Sequence, residues 1–549
     1  MRKSFRAIIV LILITFAFAS CKSKLHVAKM VPADAVFVGY MNTKSLLDKL
    51  PYSDVKATQM YKDIAADTSL PDWGKKMLEN PEQSGIDLEK GLLAFVHKGS
   101  GNSVNMVVEG AVKSASDFEK FNKSLDPSAQ ATKEKNINVL VLKNQSVVGW
   151  NDKDFVYVIN SDADPSEFEN FSDSTLPKLP KGNIEEAKAY CISLFSLPED
   201  SSLAGDKRFA KLMDEKGDVK VWLNNESMFN MIPQLGMLSM LKINDLIKDA
   251  RSTYVINFEN GKIELDQKAY LNKQLFDIAK KYSGDNVSAD QISRIPSNNI
   301  AAFMAFNYKP EGIKEVLKLL GMDGMANMYL GQMGFTLDEI TGAQNGKLSV
   351  SVSDLDLSKP EGATGMNDSD FNVLVAVGVG DKAKFDKVLN TIKGFMGTEP
   401  DSSINIISNE KELAIANHAS FANSYLEGKS GNKPEWASAV TGHPFGLYLD
   451  LNQIIKKTGS KSMDENEKAM FEKSMAFWKN VISTGGDAND NALSYKTEVN
   501  LMDGNTNSLK QLNTYIDQIY QIDKKRRASS SASLDSLLTA PPVDTVHTP

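Results

Sequence analysis

At 549 residues the chain exceeds the usual span of about 150 residues per domain, so more than one core is expected. Its hydrophobic content of 42% and charged content of 24% are ordinary for a globular protein. The net charge of −8 is spread over interspersed acids and bases, which leaves no concentrated positive surface for phosphates and argues against nucleic acid as a partner.

The chain opens on Arg2, Lys3 and Arg6, followed by an apolar run from Ala7 to Ala19 broken only by Thr15. That run is shorter than the roughly 20 residues a membrane span needs, and no later run approaches that length. Residues 1–20 therefore read as a signal peptide. Phe18-Ala19-Ser20-Cys21 places small residues before a cysteine and resembles the bacterial lipobox. The resemblance implies cleavage before Cys21, acylation of its thiol, and residues 21–30 as the lipidated start and linker. A secreted protein with a coincidental cysteine is the alternative. Each buried acyl methylene adds about 0.8 kcal/mol, so several chains hold a protein on its membrane.

Ala35 to Met41 alternates as a strand, ends at the polar Asn42 and feeds a helix with Leu46, Leu47 and Leu50 on one face. Strands follow at Leu92 to His97 and Val104 to Val112, joined by the Gly99–Asn102 turn. Ser114 or Ser116 can cap a helix that buries Phe118, Phe121 and Leu125. Three short strands come next, at Ile137–Leu142, Ser146–Trp150 and Phe155–Ile159. This order predicts an α+β fold, an antiparallel sheet with helices on one face. Cys191 is the only other cysteine, so with Cys21 acylated neither a disulfide nor a cysteine metal site is available. Tyr190 to Phe195 reads as strand-like, with Cys191 as a small buried hydrophobe.

The same grammar returns about 265 residues later, a long period for a repeat. Val31-Pro32-Ala33-Asp34-Ala35 answers Ile295-Pro296-Ser297-Asn298-Asn299, and Gly85–Glu89 answers Gly334–Asp338. Val112–Lys120 answers Val379–Lys387, Ile137–Val139 answers Ile404–Ile406, and Val148–Asn151 answers Ala414–Asn417. Asp218–Asn224 answers Pro444–Asp450. These six blocks predict a tandem duplication, copy one at 31–287 and copy two at 288–523, each with a larger and a smaller part. The smaller parts end in long hairpins, Ser252–Leu271 and Val481–Leu501. Interlocked halves of one elongated body are expected. Residues 524–549, opening on Lys524-Lys525-Arg526-Arg527 and running through serines to Pro541-Pro542, hold too few apolar groups to offset ordering entropy and read as a disordered tail.

Signals for chemistry are sparse. Gly428-Lys429-Ser430 resembles the end of a phosphate loop, but Asn423 stands where its first glycine is required. His26, His97, His418, His443 and His547 include no pair at metal-ligand spacing. Asp162, Asp164, Glu167 and Glu169, and Asp487 with Asp490, lack the pattern of a calcium loop and read as solvated turns. No cofactor and no metal are expected. Methionine is more informative. Met228, Met231, Met237 and Met240 cluster in copy one, and Met322, Met325, Met328 and Met333 in copy two. Flexible thioethers suit either core filling or an apolar groove for lipid, peptide or another subunit.

Val31–Ala35, the string Asn42–Leu47, Ile86–Leu88 and Lys216–Asn224 together resemble an uncharacterised family of Bacteroidetes lipoproteins, domain-of-unknown-function family 4836. The resemblance implies an envelope location and an α+β fold, and brings no catalytic residues. Lys22-Ser23-Lys24 after the cysteine then implies an outer-membrane anchor facing the periplasm. Ser536 and Thr545 are similar to that phylum's O-glycosylation signal. The expected protein is a non-catalytic, lipid-anchored envelope lipoprotein that binds an apolar ligand or a protein partner. An envelope hydrolase with an unrecognised carboxylate site and a structural spacer are the alternatives.

Overall fold

The computed structural model describes residues 28–66, 75, 79, 81–142, 145–162, 182–231, 242–355, 371–395, 404–428, 430–458 and 463–538. The first half contributes β1 (Phe37–Met41), β2 (Leu92–Lys98), β3 (Ser103–Ala111), β4 (Thr132–Glu134), β5 (Ile137–Val141), β6 (Val147–Trp150), β7 (Asp154–Asp162), β8 (Val219–Asn224), β9 (Arg251–Glu259) and β10 (Lys262–Tyr270). The second contributes β11 (Ile300–Asn307), β12 (Gln344–Ser353), β13 (Asn372–Val379), β14 (Asn405–Ser408), β15 (Glu412–Ala416), β16 (Phe445–Leu449), β17 (Trp478–Asn489) and β18 (Ala492–Leu501).

All of these strands pair antiparallel in one sheet. Its lateral order is β4-β5-β6-β7-β3-β2-β1-β8-β9-β10 and then β18-β17-β16-β11-β12-β13-β15-β14. The halves meet where β10 pairs with β18, from Lys262 opposite Asn500 to Tyr270 opposite Ala492. Outward from this seam both sides repeat one plan: a hairpin partner, a short strand, and then the strand that opens each half. The fold is α+β, as the strand and helix patterns predict.

Helices cover both faces of the sheet rather than the one face expected from sequence. The physical reason is that outer strands are apolar on both sides. Val147 joins one core while its neighbour Val148 joins another on the opposite face. On one face, helices Ile184–Leu194 and Lys207–Asp214 lie over Val38, Phe95 and Trp222, and helix Ala419–Glu427 lies over Ala376 and Ala414. On the other, helix Ala115–Leu125 buries Phe118 against Trp150 and Phe155, and helix Lys382–Phe395 packs Phe385 and Leu389 on Val379 and Leu413. Ser114 is the cap of the first of these, accepting from Asp117 N at 3.2 Å.

Two further expectations are corrected. Cys191 lies in helix Ile184–Leu194, not in a strand. Asn183 caps that helix at Glu185 N and Glu186 N, and Ala187, Cys191 and Leu194 recur at helical spacing on its buried face. Helix Ser508–Leu538 also continues beyond Asp523, through residues assigned to a disordered tail. No glycine or proline interrupts the chain between Gly504 and Pro541, and Asp523 pairs with Arg526 and Arg527 one turn on.

Antiparallel register fixes which residues share an end of the sheet. Phe37 lies opposite Leu223, Arg251 opposite Tyr270, Tyr270 opposite Ala492, and Phe306 opposite Phe445. These define a lower rim, from which helices Asn225–Asn230 and Glu311–Leu320 depart. Helices Thr43–Lys49, Leu451–Thr458 and Ser508–Leu538 leave from the upper rim.

Candidate functional site

At the lower rim β8 ends on Asn224, whose side chain accepts from Ser227 N at 2.9 Å and starts helix Asn225–Asn230. That helix carries Met228, which is exposed, and closes at the partly buried Met231. The chain returns as helix Ile243–Ile247. The Asn272 amide holds it by donating to the carbonyls of Asp245 at 2.6 Å and Leu246 at 2.8 Å.

Helix Ile243–Ile247 packs on helix Glu311–Leu320 of the second half, which also packs on helix Lys273–Lys281. Gly312 permits the second approach, since a Cβ there would lie 2.7 Å from Tyr282 Cβ. The methionine-bearing segments of the two halves are thus joined through their flanking helices.

Gly321, at φ +70°, ends helix Glu311–Leu320 in the left-handed conformation that favours glycine. Met322 N then bonds back to the Leu317 carbonyl at 2.8 Å and starts helix Asp323–Gln332. None of that helix's residues is buried, and Asp323 is its one charged residue. Met325 and Met333 are exposed, Met328 is 55% exposed and Tyr329 57%, and Ile313 of the preceding helix is exposed as well. Core filling does not account for these side chains. Apolar groups of this size each gain about 1.5–3 kcal/mol when fully buried, a gain these exposed side chains forgo. Met322 is partly buried, and Met237 and Met240 lie outside the described residues.

Two clefts elsewhere have mixed polar and apolar linings. One of about 600 Å³ is lined by Gln83, Lys113, Asp117, Lys120 and Phe121 among others, and one of about 370 Å³ by Lys473, Phe477, Lys510 and Tyr515 among others. Neither contains the exposed methionines.

Several of the remaining sequence candidates have structural partners. Gly428, at φ +67°, is the terminus of helix Ala419–Glu427, and the Ser430 hydroxyl lies 2.9 Å from the Ile295 carbonyl, so this segment closes a helix. His418 starts the same helix. His443 Nδ1 lies 2.6 Å from Asp487, and Asp490 pairs with Lys211 at 2.8 Å, tying the last hairpin to the first half. Asp162 ends β7, while Asp164, Glu167 and Glu169 lie outside the described residues. Cys21, His26, His547 and Thr545 also lie outside them, and Ser536 falls within the terminal helix. Among the described residues no three His, Cys, Asp or Glu side chains form a group able to hold a metal.

One polar cluster was not anticipated. Glu109 is fully buried on β3, neither of its carboxyl oxygens has a hydrogen-bond partner, and burial, with Asp154 nearby, raises its carboxyl well above the usual range. His97 bonds Asp34 at 3.0 Å, which holds that carboxyl low, and stacks on Tyr190 at 5.4 Å. Glu109 shares its strand parity with buried Asn105 and Val107, which was the available signal. Buried Lys220 was also missed. Its Nζ donates to the Met213 carbonyl at 2.5 Å and lies 5.6 Å from the Tyr40 ring.

A family model described as a domain of unknown function, DUF4836, matches residues 28–364. Among solved structures the chain is similar to crystal forms III, IV and I of TP0453, at 10%, 11% and 10% identity and a TM-score of 0.24 in each case. The matches cover 49%, 48% and 47% of this chain and 90%, 87% and 81% of those chains, a likeness too weak to inform the site. No curated protein matches the chain.

Proposed function

The chain belongs to the DUF4836 family, and from that footing we propose that it is a non-catalytic envelope lipoprotein, anchored through Cys21 on the periplasmic side of the outer membrane, that docks an apolar partner on its methionine-rich lobe. The observation that carries the reading is helix Asp323–Gln332, which keeps Met325, Met328, Tyr329 and Met333 in solvent without one buried residue of its own. Thioethers suit this role because they repack around varied apolar shapes. The matching order of strands on either side of the β10–β18 seam supports a tandem duplication, and the meeting of helices Ile243–Ile247 and Glu311–Leu320 supports one lobe drawn from both copies.

The test is binding of an apolar fluorophore, 1-anilinonaphthalene-8-sulfonate, to the native protein and to a variant with Met325, Met328 and Met333 each changed to Gln. Several-fold weaker dye binding with unchanged thermal unfolding is expected, because the three side chains are exposed. Equal dye binding by the two proteins would remove the lobe as a docking site. Acylation at Cys21 is tested separately by the mass of the N-terminal peptide from native cells.

A further inference from the structure

We infer that the apolar partner of the methionine-rich lobe is the bilayer that carries the protein's own anchor, so that the lower rim of the sheet rests on the membrane. This rests on the reading above, both for the lobe and for acylation at Cys21.

Chain reach supports the assignment. Ala28 is fully buried in the first core, and only six residues separate it from Cys21. Seven Cα-to-Cα steps extend at most about 25 Å, so the membrane surface lies close to the point where the chain enters the body. Eight residues further on the chain is at the lower rim: Val36, which precedes β1, accepts at 2.9 Å from Asn224 N, the cap residue of the helix bearing Met228. The second lobe helix follows β11, which runs toward the same rim, and packing of helix Ile243–Ile247 on Glu311–Leu320 brings the two halves' contributions together there.

Chemistry supports it equally. Helix Asp323–Gln332 has one charge in ten residues, and Met325, Met328, Tyr329 and Met333 present thioethers and a phenol, an apolar set with one amphipathic ring suited to an interface. Lys242, Lys318 and Lys281 flank the lobe on adjoining helix ends, among acids such as Glu315 and Asp323. Insertion of apolar groups, not attraction of lysines to headgroups, is therefore the driving contribution.

Met502 provides the control. It is 50% exposed, comparable to Met328, but follows β18 at the upper rim. Cys191 is fully buried and burial raises its thiol to about 12, so a maleimide will label only an introduced cysteine. The acylated full protein, carrying Met328→Cys or Met502→Cys labelled with an environment-sensitive nitrobenzoxadiazole dye, is reconstituted in vesicles of phosphatidylethanolamine and phosphatidylglycerol. The expected result is that iodide quenching of the dye at 328 falls several-fold relative to detergent solution and quenching by spin-labelled lipid appears, both persisting in molar salt, while the dye at 502 stays open to iodide. Equal iodide access at the two positions overturns the bilayer assignment, as does shielding at 328 that molar salt abolishes. If the bilayer assignment fails while the Met→Gln variant still loses dye binding, the docking reading stands with another partner. If both fail, the lobe has no docking role.

Discussion

Asp266 and Lys496 face each other across the seam of the sheet, each the fifth residue of its strand, so the two halves meet at equivalent positions. Around them Lys262 bridges Glu264 at 2.5 Å and Glu498 at 3.0 Å, while Lys496 reaches Glu264 at 3.4 Å and Glu498 at 3.2 Å. Burial raises the Asp266 carboxyl, opposed by the charge of Lys496. The seam is held by alternating charges on this face and by Ile263, Leu265, Leu493 and Val499 on the other.

Lys496→Glu should therefore destabilise the protein by about 1 kcal/mol, since directly opposed like charges oppose strand pairing. Urea unfolding at low salt measures the deficit. Molar sodium chloride should shrink it, because the site is partly solvated, and a salt-independent loss would point to packing instead.

Lys49 and Lys44 lie on the same helix but should behave differently. Lys49 pairs at 2.7 Å with Asp218, whose side chain is 1% exposed and also accepts from Ser45 Oγ at 2.5 Å and Phe258 N at 2.7 Å. Lys44 pairs with Asp48 at 3.8 Å in solvent. Lys49→Met strands a buried carboxylate and is expected to cost about 3 kcal/mol, whereas Lys44→Met should cost about 0.5 kcal/mol or less. Similar losses from both would show that Asp218 finds another partner.

Glu109 makes a pH-dependent prediction. Burial holds its folded carboxyl well above the ordinary carboxylate range, so the folded protein keeps a proton that the unfolded chain releases near pH 4. The folded state binds more protons, and stability from this group falls as pH rises from there through the folded pKa. Glu109→Met, similar in length and free of an unsatisfied polar group, should be more stable than the parent by about 1–3 kcal/mol at neutral pH. The gain should narrow toward pH 4. A constant gain across that range would contradict the protonation argument.

Gly149 on β6 tests packing beneath Cys191. A Cβ at Gly149 would lie 2.6 Å from Cys191 Sγ and 3.1 Å from the Phe195 ring. Gly149→Ala should cost about 1–3 kcal/mol by overpacking. Combining it with Cys191→Ala should cost less than the sum of the single changes, since the second removes the atom that collides. Strict additivity in a double-mutant cycle would show that the clash is relieved elsewhere.

Strand positions were readable because period-two alternation and turn residues lie close together in the chain. β2 and β3 fall within a residue of expectation, and Gly261, at φ +69°, makes the predicted hairpin turn. Placement of helices on the two faces was not readable, because in Val147-Val148-Gly149-Trp150 every residue is buried and alternation carries no sign of side. The Cys191 segment misled because Tyr, Ile and Phe favour strands locally, whereas Asn183 and the preceding Glu-Glu-Ala set up a helix that tertiary burial completes. The methionine clusters were visible as residues, but their exposure depends on how helices of two distant segments meet.

Opening outward from a central seam leaves long strands in the interior and short ones outside. Among the described residues the lateral margins are β4, three residues including Lys133 and Glu134, and β14, four residues. Each margin of this very wide sheet therefore ends on a short strand, and two such molecules brought side by side have little template on which to extend each other. A protein of this kind can be present at high local density without recruiting its neighbours into fibres.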